Sequence, residues 1–147
     1  MEYFDPQEQV KIWQRVHGSH VPITDGLQPL AAAILENAMV YVCLGRQLQG
    51  RSRELVLRMK DQQLSAVRCL KGIYRMVTGN IMQVGSSDPV IETTVAALRK
   101  NYGRSLKTLS FCDSRSADRE YGAVFAALAV EEREHSRQLA ELIGMIE

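Results

Sequence analysis

A glutamate and a histidine on one predicted helix are the residues best placed to do chemistry. Between Asp118 and Ile146 the apolar positions alternate in steps of three and four, and Glu132 and His135 occupy two places on that seam where leucines would be expected. At positions i and i+3 of one helix face, a carboxylate and an imidazole can close on a single metal ion. The alternatives are a buried Glu–His hydrogen bond and a seam that opens to water, because charged residues are rarely buried unless they are paired.

A second carboxylate lies within another apolar helix. From Leu27 to Gly45 the only charged residue is Glu36. A helix that is apolar nearly all round is central to a bundle, so Glu36 is predicted to be buried. It then either pairs with an arginine or faces Glu132 and His135. Because charged residues occur on two separate predicted inner seams of one small domain, we favour the interpretation in which Glu36 faces Glu132 and His135.

Composition limits the classes of protein to consider. The chain has 147 residues, which suits one domain, and its 6% aromatic content with 10 Gly and 4 Pro favours helices. A net charge of +1 argues against a nucleic-acid partner. The three cysteines are widely spaced, which indicates reduced thiols and a cytoplasmic location, and no signal peptide is visible. The stretch 27–45 is barely long enough for a membrane span, and its Gln28, Glu36 and Asn37 argue against one.

The elements that position these residues are predicted to form one domain over residues 1–147. Residues 1–25 form an accessory N-terminal helix and loop, and residues 26–147 form an all-α four-helix bundle. The four long helices cover about Leu27–Leu48, Arg53–Val77, Asp88–Leu109 and Asp118–Ile146. The connection between the second and third helices, at about 3.3 Å per residue, reaches roughly 30 Å and allows the two helices to run parallel.

The second and third helices carry unusual seam residues. Gln63 and Ala66 lie at i and i+3 on the inner seam of helix two, where a second Glu-x-x-His pair would be expected in a metal bundle. Gly103 lies in the middle of helix three, where glycine costs about 1 kcal/mol relative to alanine. Such a glycine indicates close packing or a space that a side chain once filled.

Four stretches in this order resemble the ferritin-like superfamily, and specifically the short bacterial rubrerythrin-like proteins, over nearly the whole chain. They are Leu35–Ala38 with Tyr41, Cys69–Gly79, Leu98–Leu109, and Glu120–Phe125 leading into Glu132-x-x-His135. The resemblance implies a ferritin-like four-helix bundle with a long connection between helices two and three. It also implies a homodimer and a di-metal centre, usually of iron, that handles oxygen or peroxide or oxidises Fe(II).

The resemblance also implies that this centre is degenerate. The positions that match ligands are Glu36, Glu132 and His135. The helix-two ligand pair falls on Gln63 and Ala66, and the helix-three glutamate falls on or next to Gly103, so both half-sites have lost ligands. Three ligands are too few for two ions about 3.5–4 Å apart.

Two functions therefore stay open. In the first, Glu36, Glu132 and His135 hold at most one Fe, Mn or Zn ion, and any activity is oxidation of Fe(II) or reaction with peroxide rather than full di-iron oxidase chemistry. In the second, the metal site is retired, and the bundle is non-catalytic and acts in dimerisation, partner binding or small-ligand binding. The emptied cavity for such a ligand is expected near Gln63, Ala66 and Gly103.

Overall fold

The structure is a computed structural model that describes residues 22–85 and 87–146. Within these ranges the secondary structure is entirely helical, as predicted, with α1 at Leu27–Gly45, α2 at Gly50–Thr78, α3 at Thr94–Arg115 and α4 at Gly122–Ile146. The predicted accessory helix lies outside the described residues, and residues 23–26 form a turn that leads into α1.

Two hydrophobic clusters show how the four helices run. The first cluster contains Leu30 of α1 and Phe125 of α4, from the beginnings of their helices, together with Ile73 of α2 and Cys112 of α3, from the ends of theirs. The second cluster joins the opposite halves of the same helices. Helices α1 and α4 therefore run in one direction, and α2 and α3 run in the other. The principal antiparallel pairs are α1 with α2 and α3 with α4.

The connection between α2 and α3 crosses the length of the bundle. Met82, just after α2, is buried in the first cluster, whereas Ile91, just before α3, packs against the second. This crossover is longer than predicted, because α3 begins at Thr94 and not at Asp88. The Thr93 hydroxyl caps the helix by accepting a hydrogen bond from the Ala96 N–H at 3.1 Å.

The crossover also explains why α1 is apolar nearly all round. Besides its contacts with α2 and α3, α1 lies under the crossover, where the Gln28 side-chain amide donates to the Gln83 carbonyl oxygen at 2.7 Å. By length and composition α1 is the one described helix that could also cross a membrane. Inside the bundle, however, its Asn37 and Tyr41 side chains are fully buried and hydrogen-bonded to other helices.

A layer of polar side chains separates the two hydrophobic clusters at the middle of the bundle. All four helices contribute to it, and we call it the polar layer. Its members are Asn37 and Tyr41 of α1, Gln63 of α2, Asn101, Ser105 and Thr108 of α3, and Glu132 and His135 of α4. Buried polar groups are stable only when they are hydrogen-bonded, so this layer is the natural place to look for a functional site.

Candidate functional site

Glu132 and His135 lie at the centre of the polar layer. The Glu132 carboxylate is 4% exposed and the His135 ring is fully buried, which confirms that α4 presents both residues inward. Their side chains contact each other directly, with 2.8 Å between Glu132 Oε1 and His135 Nδ1. Of the two arrangements considered without a metal, the structure has the hydrogen-bonded pair and not a seam that opens to water.

Neutral side chains from two other helices complete the surroundings of Glu132. The Ser105 hydroxyl donates to Glu132 Oε1 at 2.5 Å, and the Gln63 amide donates to Oε2 at 3.1 Å. With His135 Nδ1 this gives three donors for a carboxylate that offers about four acceptor positions when it is ionised. The buried negative charge is therefore stabilised by hydrogen bonds within the protein.

Tyr41 holds the other nitrogen of His135. Its hydroxyl lies 2.6 Å from His135 Nε2, and the two rings meet edge to face with centroids 5.6 Å apart. Because Nδ1 faces a carboxylate, a ring with a single proton carries it on Nδ1 and accepts the tyrosine proton at Nε2. Burial raises the pKa of Tyr41 far above its usual value, the negative charge of Glu132 adds to this rise, and hydrogen bonding with Asn101 partly opposes it. Tyr41 is therefore a neutral donor at physiological pH.

The network continues from the core to the surface through α1 and α3. Asn37 donates to the Gln63 side-chain oxygen at 3.2 Å, and Asn101 donates to the Asn37 carbonyl oxygen at 3.3 Å. Arg104 then bridges outward, donating to the Asn101 side-chain oxygen at 3.1 Å and to Glu36 Oε1 at 3.0 Å. Apart from Thr108, the members of the polar layer thus belong to one connected set of hydrogen bonds, which ends in a surface ion pair.

The prediction that Glu36 is buried against Glu132 and His135 is wrong. Its side chain is 51% exposed and pairs with Arg104, the other interpretation considered from the sequence. The neighbouring Asn37 points inward instead. The error has a physical cause: because the crossover covers part of α1, apolar residues occur on several of its faces and do not mark which one meets the core.

The prediction for Gly103 is also wrong, whereas the one for α2 is confirmed. Gln63 and Ala66 are both buried on the inner seam. Gly103 is exposed, and a Cβ added there would meet no atom within 4 Å, so the residue marks neither close packing nor a filled space. The α3 residue that meets Glu132 and His135 is Ser105.

Sequence reasoning missed the inner face of α3 because that face is largely polar. Leu98 does face inward, as predicted, but Leu106 on the same predicted seam is 45% exposed. The residues that continue the buried face are small and polar, at spacings of four and three: Asn101, Ser105, Thr108 and Cys112. This spacing is itself a helical periodicity and was the available signal. It does not stand out when only apolar residues are counted.

These donors fall short of a tight transition-metal site. In residues 22–85 and 87–146, no three His, Cys, Asp or Glu side chains come together in a way that could hold a metal. Glu132 and His135 provide a carboxylate and an imidazole, whereas tight sites use three or four such protein ligands. The remaining neighbours are the hydroxyl of Ser105, the phenol of Tyr41 and the amide of Gln63, and each already bonds to the pair.

A small cavity lies on the other side of Glu132. Its volume is about 10 Å³, and it lies between α1, α2, α3 and α4. Its polar wall consists of Gln62, Gln63, Thr108, Cys112 and the Glu131–Glu132 turn of α4, and apolar side chains of the first cluster form the rest. Burial raises the pKa of Cys112 to about 12, and the nearby Glu132, Asp113 and Cys69 add to this rise, so Cys112 is a neutral thiol.

The fold and the site define an all-α four-helix bundle with a hydrogen-bonded polar interior. Searches of protein-family models, of curated proteins and of solved structures found no match to this chain.

Proposed function

We propose that this protein is a non-catalytic bundle of ferritin-like ancestry whose metal site has been retired. The proposal combines the resemblance noted in the sequence with the arrangement of the polar layer. Neutral residues occupy the inward positions where a carboxylate-bridged centre would have further ligands, namely Asn37, Gln63, Ala66 and Ser105. The protein then acts through association with a second copy or another partner.

One observation carries this proposal. Each polar side-chain atom of Glu132 and His135 has a hydrogen-bond partner on another helix or within the pair itself. A metal ion would have to displace Ser105 or Tyr41 from these atoms. The amide of Gln63 and the hydroxyls of Ser105 and Tyr41 thus stabilise the buried pair by hydrogen bonds, without a metal ion.

The single-ion site remains the second candidate, because Glu132 and His135 keep the i, i+3 spacing and lie 2.8 Å apart. Elemental analysis of protein purified without chelator separates the two candidates. We expect no stoichiometric Fe, Mn or Zn, and a melting temperature that is indifferent to chelator. Stoichiometric metal that disappears in Glu132→Ala would establish the single-ion site and overturn the retired one.

A variant can test whether the neutral residues stand at former ligand positions. Gln63→Glu, Ala66→His and Ser105→Glu, combined in one chain, add three metal ligands around Glu132 and His135. We expect this variant to bind Fe(II) or Mn(II) and to melt at a higher temperature when the metal is present, whereas the unaltered protein shows no shift. Absence of metal binding in a folded variant would show that these positions are not equivalent to ligand positions.

The predicted homodimer is part of the same proposal and has its own measurement. Sedimentation equilibrium over a range of concentrations gives the mass of the particle directly. A mass near twice 16.5 kDa supports self-association as the role of the bundle. A monomer at all concentrations would contradict self-association, and the proposed role would then require a different partner.

A further inference from the structure

Two hydrogen-bond acceptors with unused capacity belong to residues that line the cavity beside Glu132. The Gln62 side-chain Oε1 is buried and has no hydrogen-bond partner among the described residues. Its orientation is fixed, because the Nε2 of the same amide donates to the Glu131 carbonyl oxygen at 3.0 Å, and a flipped amide would set two acceptors against each other. Leaving such an acceptor buried and unpaired destabilises the folded protein.

Glu132 is the second acceptor. Its Oε1 receives hydrogen bonds from Ser105 and His135, whereas its Oε2 receives one, from Gln63. An ionised carboxylate oxygen has two acceptor positions, so Oε2 has room for one more donor. Both Glu132 and Gln62 line the same cavity.

The size of the cavity limits what can bind there. A volume of about 10 Å³ holds roughly one sphere the size of a water molecule. The Thr108 hydroxyl adds a third polar group to the wall, and the remaining wall includes Ile34 and Leu70, which cannot hydrogen-bond.

We propose that this cavity is a binding site for one small guest that donates at least two hydrogen bonds, to Gln62 Oε1 and to Glu132 Oε2. Two molecules have this chemistry at this size: water and the ammonium ion. Both molecules can donate to two acceptors at once, and they differ in charge, which the salt dependence of melting can detect. The guest would link α2 to α4 across the first hydrophobic cluster.

Two high-resolution crystal structures, one grown from an ammonium salt and one from a potassium salt, test whether the cavity holds a guest. We expect a light-atom density peak within hydrogen-bond distance of both Gln62 Oε1 and Glu132 Oε2, at least in the ammonium crystal. A cavity without density in both crystals, or a peak that contacts neither acceptor, would overturn the proposal. A metal at the retired site would instead appear as an anomalous scatterer between Glu132 and His135, so failure of the proposed function is distinguishable from failure of this site.

Substitution of Gln62 gives a second test. Gln62→Met keeps the length of the side chain but removes the Oε1 acceptor together with the Nε2–H that donates to the Glu131 carbonyl oxygen. Because the melting temperature responds to both losses, this test is made in the crystal: the density peak should be absent in Gln62→Met and present in a surface variant, Gln47→Met. A peak that persists unchanged in Gln62→Met would contradict the proposal.

The salt dependence of melting identifies the guest. Ammonium chloride is compared with potassium chloride at equal ionic strength, since both ions screen charges equally. A melting temperature that rises only with ammonium, and not in Gln62→Met, identifies ammonium as the guest. Equal melting temperatures in the two salts, with the density peak present, identify water.

Discussion

Ser105 shows how one hydroxyl can support a buried charge. It donates to Glu132 Oε1 and lies 3.1 Å from His135 Nδ1, so it contacts both members of the pair. A serine in the middle of a helix contributes little to helix stability, and its hydrogen bonds to backbone can even compete with the helix. Its presence at this position is explained by the carboxylate that it faces.

Ser105→Ala should therefore lower the free energy of unfolding by about 1.5–3 kcal/mol, the range for hydrogen bonds to charged groups. Ser110→Ala is the matched control, because Ser110 is exposed on the same helix and such a change is worth about 0.5 kcal/mol or less. Urea unfolding of both variants gives the comparison. Equal effects would mean that Ser105 does not stabilise Glu132.

Cys112 should make the protein sensitive to alkali. Its pKa is raised to about 12 in the folded protein from an ordinary value of 9.0. Below pH 9 the thiol is protonated in both states and its contribution to stability is complete. As the pH rises through the window up to about pH 12, only the unfolded thiol ionises, so stability falls by about 1.4 kcal/mol per pH unit.

The slope of stability against pH checks this expectation. Between pH 9 and the limit of folding, Cys112→Ala should lose stability less steeply than the unaltered protein, whatever its stability at neutral pH. Cys43→Ala, which removes a partly exposed thiol from α1, is the control for loss of a cysteine. A slope in Cys112→Ala that equals the slope of the unaltered protein would contradict the buried, neutral thiol.

At the scale of the elements, the helices differ in how much their sequences reveal. In α4 the inward face was predictable, because Phe125, Leu128 and Leu139 mark the side on which Glu132 and His135 lie. In α1 the same reasoning failed and selected Glu36 over Asn37. A face can be assigned from periodicity only when the opposite side of the helix is polar.

Gly103 of α3 and Gly122 of α4 should respond in opposite ways to substitution by alanine. Gly103→Ala should stabilise the protein by about 0.5–1 kcal/mol, since the position is exposed in the middle of α3 and alanine is the better helix former. Gly122 begins α4, and Gly122→Ala should destabilise the protein by about 1–3 kcal/mol, because the added Cβ would overlap the carbonyl oxygen of Ser116, the residue that follows α3. Thermal unfolding of the two variants should shift in opposite directions. A shift in the same direction would contradict the packing around Gly122.

At the scale of the whole molecule, the crossover holds the bundle together along its length. The length of the connection allowed a crossover and the resemblance implied one, but neither predicted its path over α1. That path depends on Met82 and Ile91 packing into clusters at opposite ends, and no local pattern in the connection reveals which helix it will cover. The path of the crossover is therefore set by tertiary packing and not by its local sequence.

Two apolar residues of the crossover should therefore respond differently to truncation. Met82 is 3% exposed and Val90 is 89% exposed. Met82→Ala should cost about 2 kcal/mol or more, whereas Val90→Ala should change stability by about 0.5 kcal/mol or less. Guanidinium unfolding of both variants measures the difference. A small effect of Met82→Ala would show that the crossover is not anchored in the first cluster.

The polar layer has a further consequence for the motions of the protein. It divides the interior into two hydrophobic clusters, one toward each end of the bundle, that share no side chains. Either end can then fray without disturbing the packing at the other, as long as the hydrogen bonds between Asn37, Gln63 and Glu132 hold the middle. Amide hydrogen exchange should accordingly be slowest at the waist of all four helices and should report separate openings toward each end. The slowest exchange is then expected at the buried polar layer and not within either hydrophobic cluster.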